Sequence, residues 1–400
     1  MALRRSQRHL RRGGRAPATL QEADEEEKVG RANAMFNDNA MKLGLFAPNC
    51  RGACAITTVP ESWDASWEHN LELARLSDDA GIEFILPIAR WKGYGGPSRW
   101  QEDTLETLTW ACGLLAQTKD LCVFATTHAP MIHPIVAAKQ LATIDHVARG
   151  RLGLNLVCGW NQDEFQMFGQ EQLEHDERYV YGQEWLDIVR TIWTSEERVD
   201  FDGTYFHLSE LIGRPAPYDG EPVLVNAGFS PAGRDFAQRN CDLLFTSLVD
   251  LESAKADVDG VTAAAREIGR DVGVLSSAFV VCRPTQAEAE EYHHYYAIEN
   301  GDWEAADRLM SGMGMHSNAF PAGHYERFRE RFTAGHGGYP LIGSPDQVAD
   351  EFERISQTGM AGIAFGMCNF LEEMPFFVEE VLPRLEAKGL RHPVGAAQPA

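Results

Sequence analysis

From residue 41 onward, short apolar runs alternate with longer stretches whose apolar positions recur at helical spacing. This is the pattern of parallel strands joined by crossover helices. Strands are expected at 42–48 ("KLGLFAP"), 82–88 ("IEFILPI"), 121–128 ("LCVFATTH") and 151–159 ("RLGLNLVCG"). Four more are expected at 222–228, 243–249, 273–282 and 362–368. Helices are expected at 66–81, opened by Ser66 and stopped by Gly81, and at 134–150, opened by Pro134 and stopped by Gly150. Further helical spacing covers 177–195, 230–240, 251–269, 285–297, 345–358 and 372–389. Eight strands alternating with helices make a (β/α)8 TIM barrel the leading architecture in the α/β class. A doubly wound open sheet competes, but it would use fewer strands and carry a Gly-rich first turn. "GLFAPNCRGAC" lacks the GxGxxG spacing.

Two insertions interrupt the alternation. Residues 196–221 contain "DFDGTYFHL", whose period of two and Asp-Gly turn predict a hairpin. Residues 298–342 are rich in Gly, Met, His and aromatics, as a binding loop or lid would be, with Gly312, Gly314 and Gly323 as candidate hinges. The barrel domain is expected over 41–390, with a tail at 391–400. Residues 1–40 read as a disordered extension, because "MALRRSQRHLRRGGR" and "EADEEEK" are charge blocks without an apolar face. Arg4 and Arg5 form a twin-arginine pair without the apolar stretch that a signal needs, and Met35 or Met41 could begin the protein.

Composition narrows the partners. A formal charge of -23 over 400 residues argues against nucleic acid or an anionic membrane, and an anionic cofactor then requires a local positive site. No apolar run reaches eighteen residues, so no membrane span is expected. The eight Cys sit mostly in apolar runs without a CxxC, which reads as buried thiols of a reducing cytoplasm and gives no metal site.

The fourth strand poses a chemical question, because Asn155 interrupts its apolar run and points away from the face shared by Leu154 and Leu156. In a barrel that position is inward, toward the pocket at the carboxyl ends of the strands. A buried amide without partners costs about 1–3 kcal/mol, so either neighbouring backbone, water or a ligand must satisfy it. Other polar residues gather at the same rim: Thr126, Thr127 and His128 from the third strand, Arg90 and Lys92 from the second, and Glu164 just after the fourth. After the fifth, Gly228 allows a tight turn and Ser230 caps a helix whose first N–H groups could bind an anion.

"LATIDHVARGRLGLNLVCGW", "LEHDERY" and "VNAGFSPAGRDFA" resemble the bacterial luciferase-like flavin monooxygenases, in the branch of pyrimidine oxygenase, dimethyl sulfone monooxygenase and alkanesulfonate monooxygenase. The resemblance spans roughly 41–390 and is strongest from 82 to 245. It implies FMN contacts at Ala89, Arg90, Asn155, Glu164, Arg178, Tyr179 and Ser230, with Ser230 and Arg178 on the phosphate. By the pyrimidine oxygenase pattern, Thr126 and Asn155 line the pocket where oxygen meets reduced flavin; the sulfone monooxygenase pattern has a small apolar residue at the Thr126 position but a closer "LEHDERY". His128 follows neither pattern and is a candidate base or substrate donor, or simply a neutral polar residue facing a wet pocket.

The activity so implied is two-component: reduced FMN arrives from a separate NAD(P)H:flavin reductase and, with O2, oxygenates a small organic substrate, with cleavage of a carbon–heteroatom bond as in a sulfone or amide. A homodimer or homotetramer follows from the same likeness. Three other readings stay open at this point: a deazaflavin-dependent oxidoreductase on the same barrel, a non-catalytic flavin-binding protein, and a barrel aldolase or hydrolase acting on a phosphate ester. The last is weakened by the lack of a strand lysine or a His-rich metal set.

Overall fold

A computed structural model describes residues 33–315 and 324–395. Eight parallel strands close into a barrel: β1 (Lys42–Phe46), β2 (Phe84–Leu86), β3 (Cys122–His128), β4 (Leu152–Val157), β7 (Val223–Asn226), β8 (Leu243–Thr246), β9 (Gly273–Cys282) and β11 (Gly362–Gly366). Closure comes from the β8–β9 and β1–β11 pairings. Each strand falls within a range expected from the sequence, trimmed at the ends where turns take over, as at Gly159 with φ +96°. β5 (Val199–Asp202) and β6 (His207–Leu211) form the antiparallel hairpin of the first insertion.

The surrounding helices follow the sequence pattern with several differences. α1 (Trp67–Asp79), α3 (Pro134–Ala148), α5 (Glu177–Thr194), α6 (Pro231–Asn240), α7 (Leu251–Glu267), α8 (Gln286–His293) and α11 (Pro345–Ser356) lie where expected. α2 (Thr107–Leu115) was not expected: it is short, and Leu108, Trp110, Ala111, Leu114 and Leu115 are all buried, so it lacks the polar stripe that reveals an amphipathic helix. The expected helix at 372–389 is instead α12 (Phe370–Phe376), a π-helical turn over Phe377–Val381, and α13 (Leu382–Ala387). Pro375 and Pro383 each lack the N–H that an unbroken α-helix needs. α4 (Gln162–Met167) adds a single capped turn after β4.

Inside the barrel, the lower layers are filled by pairing large rings with glycines. A Cβ on Gly44 would lie 2.4 Å from the Phe84 ring, and one on Gly153 would lie 2.4 Å from the Phe124 ring. Phe84 and Phe124 meet edge to face at 5.8 Å. This fill leaves the upper, carboxyl-end layer as the place for chemistry.

The amino-terminal floor is closed by segments outside the expected 41–390 span. Met35 joins the interior cluster with Phe84, Cys122 and Leu243. Asn33 donates to the Gly150 carbonyl at 3.3 Å, and Asn37 to Glu83 at 3.3 Å. From the other terminus, the His392 N–H donates to Asn39 at 2.7 Å. The packed barrel therefore takes in residues 33–40, which the sequence reading assigned to the extension; residues 1–32 lie outside the described residues.

The second insertion contributes α9 (Trp303–Gly312), α10 (His324–Gly335) and β10 (Tyr339–Gly343). β10 pairs in parallel with the upper half of β9, from Tyr339↔Ala278 to Gly343↔Cys282, on the edge that β8 occupies lower down. Of the candidate hinges, Gly312 is the last residue of α9 and Gly314 follows its cap Met313 with φ +75°, and Gly323 lies outside the described residues. Among the described residues no helix is long and apolar enough to cross a membrane, no disulfide forms, and no group of potential metal ligands gathers.

Candidate active site

Thr126 and Asn155 are register partners on β3 and β4, so their side chains stand side by side in the first layer above the Phe124–Gly153 fill. The Thr126 hydroxyl donates to the Pro87 carbonyl at 2.5 Å, and Asn155 Nδ2 donates to Thr126 Oγ1 at 3.1 Å. A carbonyl only accepts, so the single hydroxyl proton is committed and Asn155 must turn its amino group toward Thr126. Asn155 Oδ1 is then left buried without a partner.

One layer higher, His128 pairs in register with Val157. Burial draws its pKa down to about 4; Glu164 opposes that shift and Arg90 reinforces it. Its Nδ1 lies 3.8 Å from Glu164 Oε2, too far for a hydrogen bond, and the ring is neutral near pH 7. Glu164 comes from α4, whose start is capped by Asn161. Its Oε1 accepts from Arg90 Nη1 at 3.0 Å and from the Trp91 N–H at 2.9 Å, while Oε2 is buried and unpartnered. The Arg90–Glu164 pair is almost fully buried, with side chains 3% and 1% exposed. Removing either partner would strand a charge. Ala89 lines a small cleft together with Arg90, Trp91, Thr126, His128 and Met131.

Past the ends of β4 and β7 a set of hydrogen-bonding groups gathers at the start of α6. Ser230 caps α6, its hydroxyl accepting from the Gly233 N–H at 3.1 Å. Gly228 and Gly233 come so close that a Cβ on either would fall 2.6–2.7 Å from the other's backbone. A Cβ on Gly233 would also lie 2.5 Å from the Tyr179 hydroxyl. The Tyr179 pKa is raised by burial, an effect that a hydrogen bond with Ser230 partly offsets. Arg178 is oriented by the carbonyls of Leu173 at 2.8 Å and Gly159 at 3.3 Å. Helix N–H groups, two hydroxyls and a guanidinium suit a phosphate monoester.

The structure also brings forward two residues that sequence reasoning missed. Gln101 is fully buried with φ +57°, and His336 has φ +56°; both are left-handed positions rare for side-chain-bearing residues. Gln101 Oε1 accepts from Arg90 Nε at 3.1 Å. Gln101 Nε2 and His336 Nε2 are both buried without partners. Gly337 and Gly338 beside His336 hint at a special backbone; nothing in the pattern around Gln101 does.

Comparison with known proteins agrees with this picture. Residues 41–362 match the family model described as luciferase-like monooxygenase. The chain is 33% identical over 362 residues to an FMNH2-dependent dimethylsulfone monooxygenase of Pseudomonas fluorescens (strain Pf0-1), covering 88% of this chain and 97% of that one. It is 31% identical to pyrimidine monooxygenase RutA of Allorhizobium ampelinum, covering 87% and 96%. Among solved structures, riboflavin lyase with modified FMN and riboflavin superposes with a TM-score of 0.80 at 20% identity, over 90% of this chain and 94% of that one, a likeness of fold. By matched length and identity together, the chain belongs to the luciferase-like monooxygenase family.

Proposed function

We propose that this protein is the oxygenase half of a two-component system that takes reduced FMN from a separate NAD(P)H:flavin reductase and uses O2 to oxygenate a small organic substrate, breaking a carbon–heteroatom bond. The observation that carries this reading is the pair of buried, unpartnered acceptors, Asn155 Oδ1 and Glu164 Oε2, at the same barrel face as the anion cradle of Ser230, Tyr179 and Arg178. Reduced flavin presents ring N–H donors at one end and a phosphate at the other, so the residues present fit it. When bound, reduced FMN supplies the electrons that activate O2 for transfer of one oxygen atom.

The chain's own groups have separable tasks. Asn155 offers its oxygen to a ring N–H, and Thr126 fixes the direction of that oxygen. Glu164 accepts from the ring's polar edge, with Arg90 and the Trp91 N–H holding the carboxylate in place. Ser230, Tyr179 and Arg178 anchor the phosphate, so the reacting end is positioned by contacts remote from it. Neutral His128 lines the pocket as a polar group that can move a proton without adding charge. Exclusion of water from the site favours transfer to substrate over release of hydrogen peroxide.

The test is anaerobic binding of photoreduced FMN, mixing with O2, and recording flavin absorption with a panel of small substrates. Asn155→Ala is expected to abolish oxygenation while the protein stays folded and peroxide release continues. Unchanged product formation in that variant would remove Asn155 from the chemistry.

A further inference from the structure

The segment between β7 and α6 is tied to α7 by one side chain. Arg234, in the first turn of α6, donates back from Nε to the Phe229 carbonyl at 3.3 Å. Its Nη1 and Nη2 donate in parallel to the two carboxylate oxygens of Asp257 on α7, at 3.3 and 3.1 Å. A planar fork on a carboxylate fixes direction as well as distance. The pair is partly exposed, with side chains 31% and 42% accessible, so it adds little to stability. What it holds is the orientation of one peptide.

The amide between Phe229 and Ser230 is planar and trans, so its C=O and N–H point in opposite directions. Holding the carbonyl on Arg234 therefore aims the Ser230 N–H away from the guanidinium. That N–H counts, because α6 begins with few donors to spare. Pro231 has none, the Gly233 N–H goes to the Ser230 hydroxyl at 3.1 Å, and the Arg234 N–H goes to the Ser230 carbonyl at 2.8 Å. The Ser230 and Ala232 N–H groups remain for an anion, and the first of them turns with the peptide that Arg234 holds.

Charge separates the roles of the two arginines. Asp257 already matches the charge of Arg234. Arg178 is held by the carbonyls of Leu173 and Gly159, which orient it without neutralising it. A phosphate at Ser230 is thus drawn by the charge of Arg178, while Arg234 acts on it through geometry.

We infer that the Arg234–Asp257 pair positions the groups that receive the flavin phosphate, and that by fixing the peptide before Ser230 it makes the site prefer a phosphorylated flavin to the same ring without phosphate. This rests on the flavin reading above. Arg234 and Asp257 are positioning residues, acting through the Ser230 N–H. The experiment measures binding of photoreduced FMN and photoreduced riboflavin without O2, by quenching of protein fluorescence. Wild type is expected to bind FMN at least tenfold more tightly than riboflavin. Asp257→Ala and Arg234→Met are expected to lower that preference at least fivefold by weakening FMN, with the riboflavin Kd within twofold of wild type. Arg234→Lys keeps the charge but loses the fork, and is expected to behave like Arg234→Met.

Equal weakening of both flavins marks a merely structural pair and overturns the inference. So does tighter FMN binding by Asp257→Ala, the result that an unmatched Arg234 charge alone would give, and so does a full preference for FMN in Arg234→Lys. If Arg234→Met fails to fold, Asp257→Ala decides the matter, with wild-type preference there overturning the inference. Equal affinity of wild type for the two flavins overturns this inference and leaves the flavin reading standing. Failure of wild type to bind either reduced flavin overturns the flavin reading and this inference with it.

Discussion

Thr126 has one proton to give, and Pro87 takes it. In the function proposed above the hydroxyl acts through its neighbour, with Thr126 setting the direction of Asn155. Thr126→Val keeps the shape but leaves the Pro87 carbonyl and the Asn155 amino group unpaired, at a cost of about 1–3 kcal/mol. In that variant the fraction of O2 released as peroxide is expected to rise at the expense of product, and Thr126→Ser is expected to restore coupling; product-to-peroxide ratios check both. His128 makes a pH prediction. Its pKa is about 4 folded against an ordinary 6.5, so between those values the unfolded chain binds the extra proton. Stability thus falls as pH drops from 6.5 toward 4 and is complete above that window, with up to about 3 kcal/mol at stake from this residue. Urea melts at pH 7 and pH 5 should show a smaller difference for His128→Asn than for wild type. The period of two along β4 was enough to turn Asn155 inward, and the polar company at the strand ends was equally legible. What the Thr126 hydroxyl bonds to was not, because Pro87 reaches it only through tertiary structure. Gln101 and His336 were invisible for a related reason: they sit in irregular backbone, where no periodicity assigns a direction.

At the scale of elements, two glycines let the segment after β7 and the start of α6 touch. Gly233→Ala would push a methyl against both Gly228 and the Tyr179 hydroxyl. It is expected to weaken FMN binding by about 1.5–3 kcal/mol, roughly ten- to a hundredfold, by displacing the groups aimed at the phosphate. Titration of FMN fluorescence measures this directly. The Ser230 cap was readable beforehand, since a cap acts locally, whereas at Gly228 the structure shows a close approach to Gly233 in place of the expected tight turn. α2 and the broken carboxyl-terminal helix were misread or missed because their behaviour is set by neighbours: α2 is buried on most of its surface, and the prolines around Phe377–Val381 are accommodated by a π turn. Local pattern speaks clearly only when one face of an element meets water.

For the whole molecule, eight strands and their order were legible because parallel strands separated by helices leave few ways to close a sheet. The floor was not, since a three-residue turn around Met35 carries no periodic signal. A chain begun at Met41 loses the Met35 plug and the Asn33 and Asn37 hydrogen bonds, and is expected to be less stable by roughly 2–4 kcal/mol than one begun at Asn33. Guanidinium melts of the two chains test this. The position of β10 bears on how the molecule can move. Five successive register pairs tie Tyr339–Gly343 to β9, and His336 lies just three residues before that ladder. The backbone that carries His336 is therefore moored close to the barrel's own frame. This stretch of the rim is accordingly expected to keep its shape while loops that lack such a ladder move.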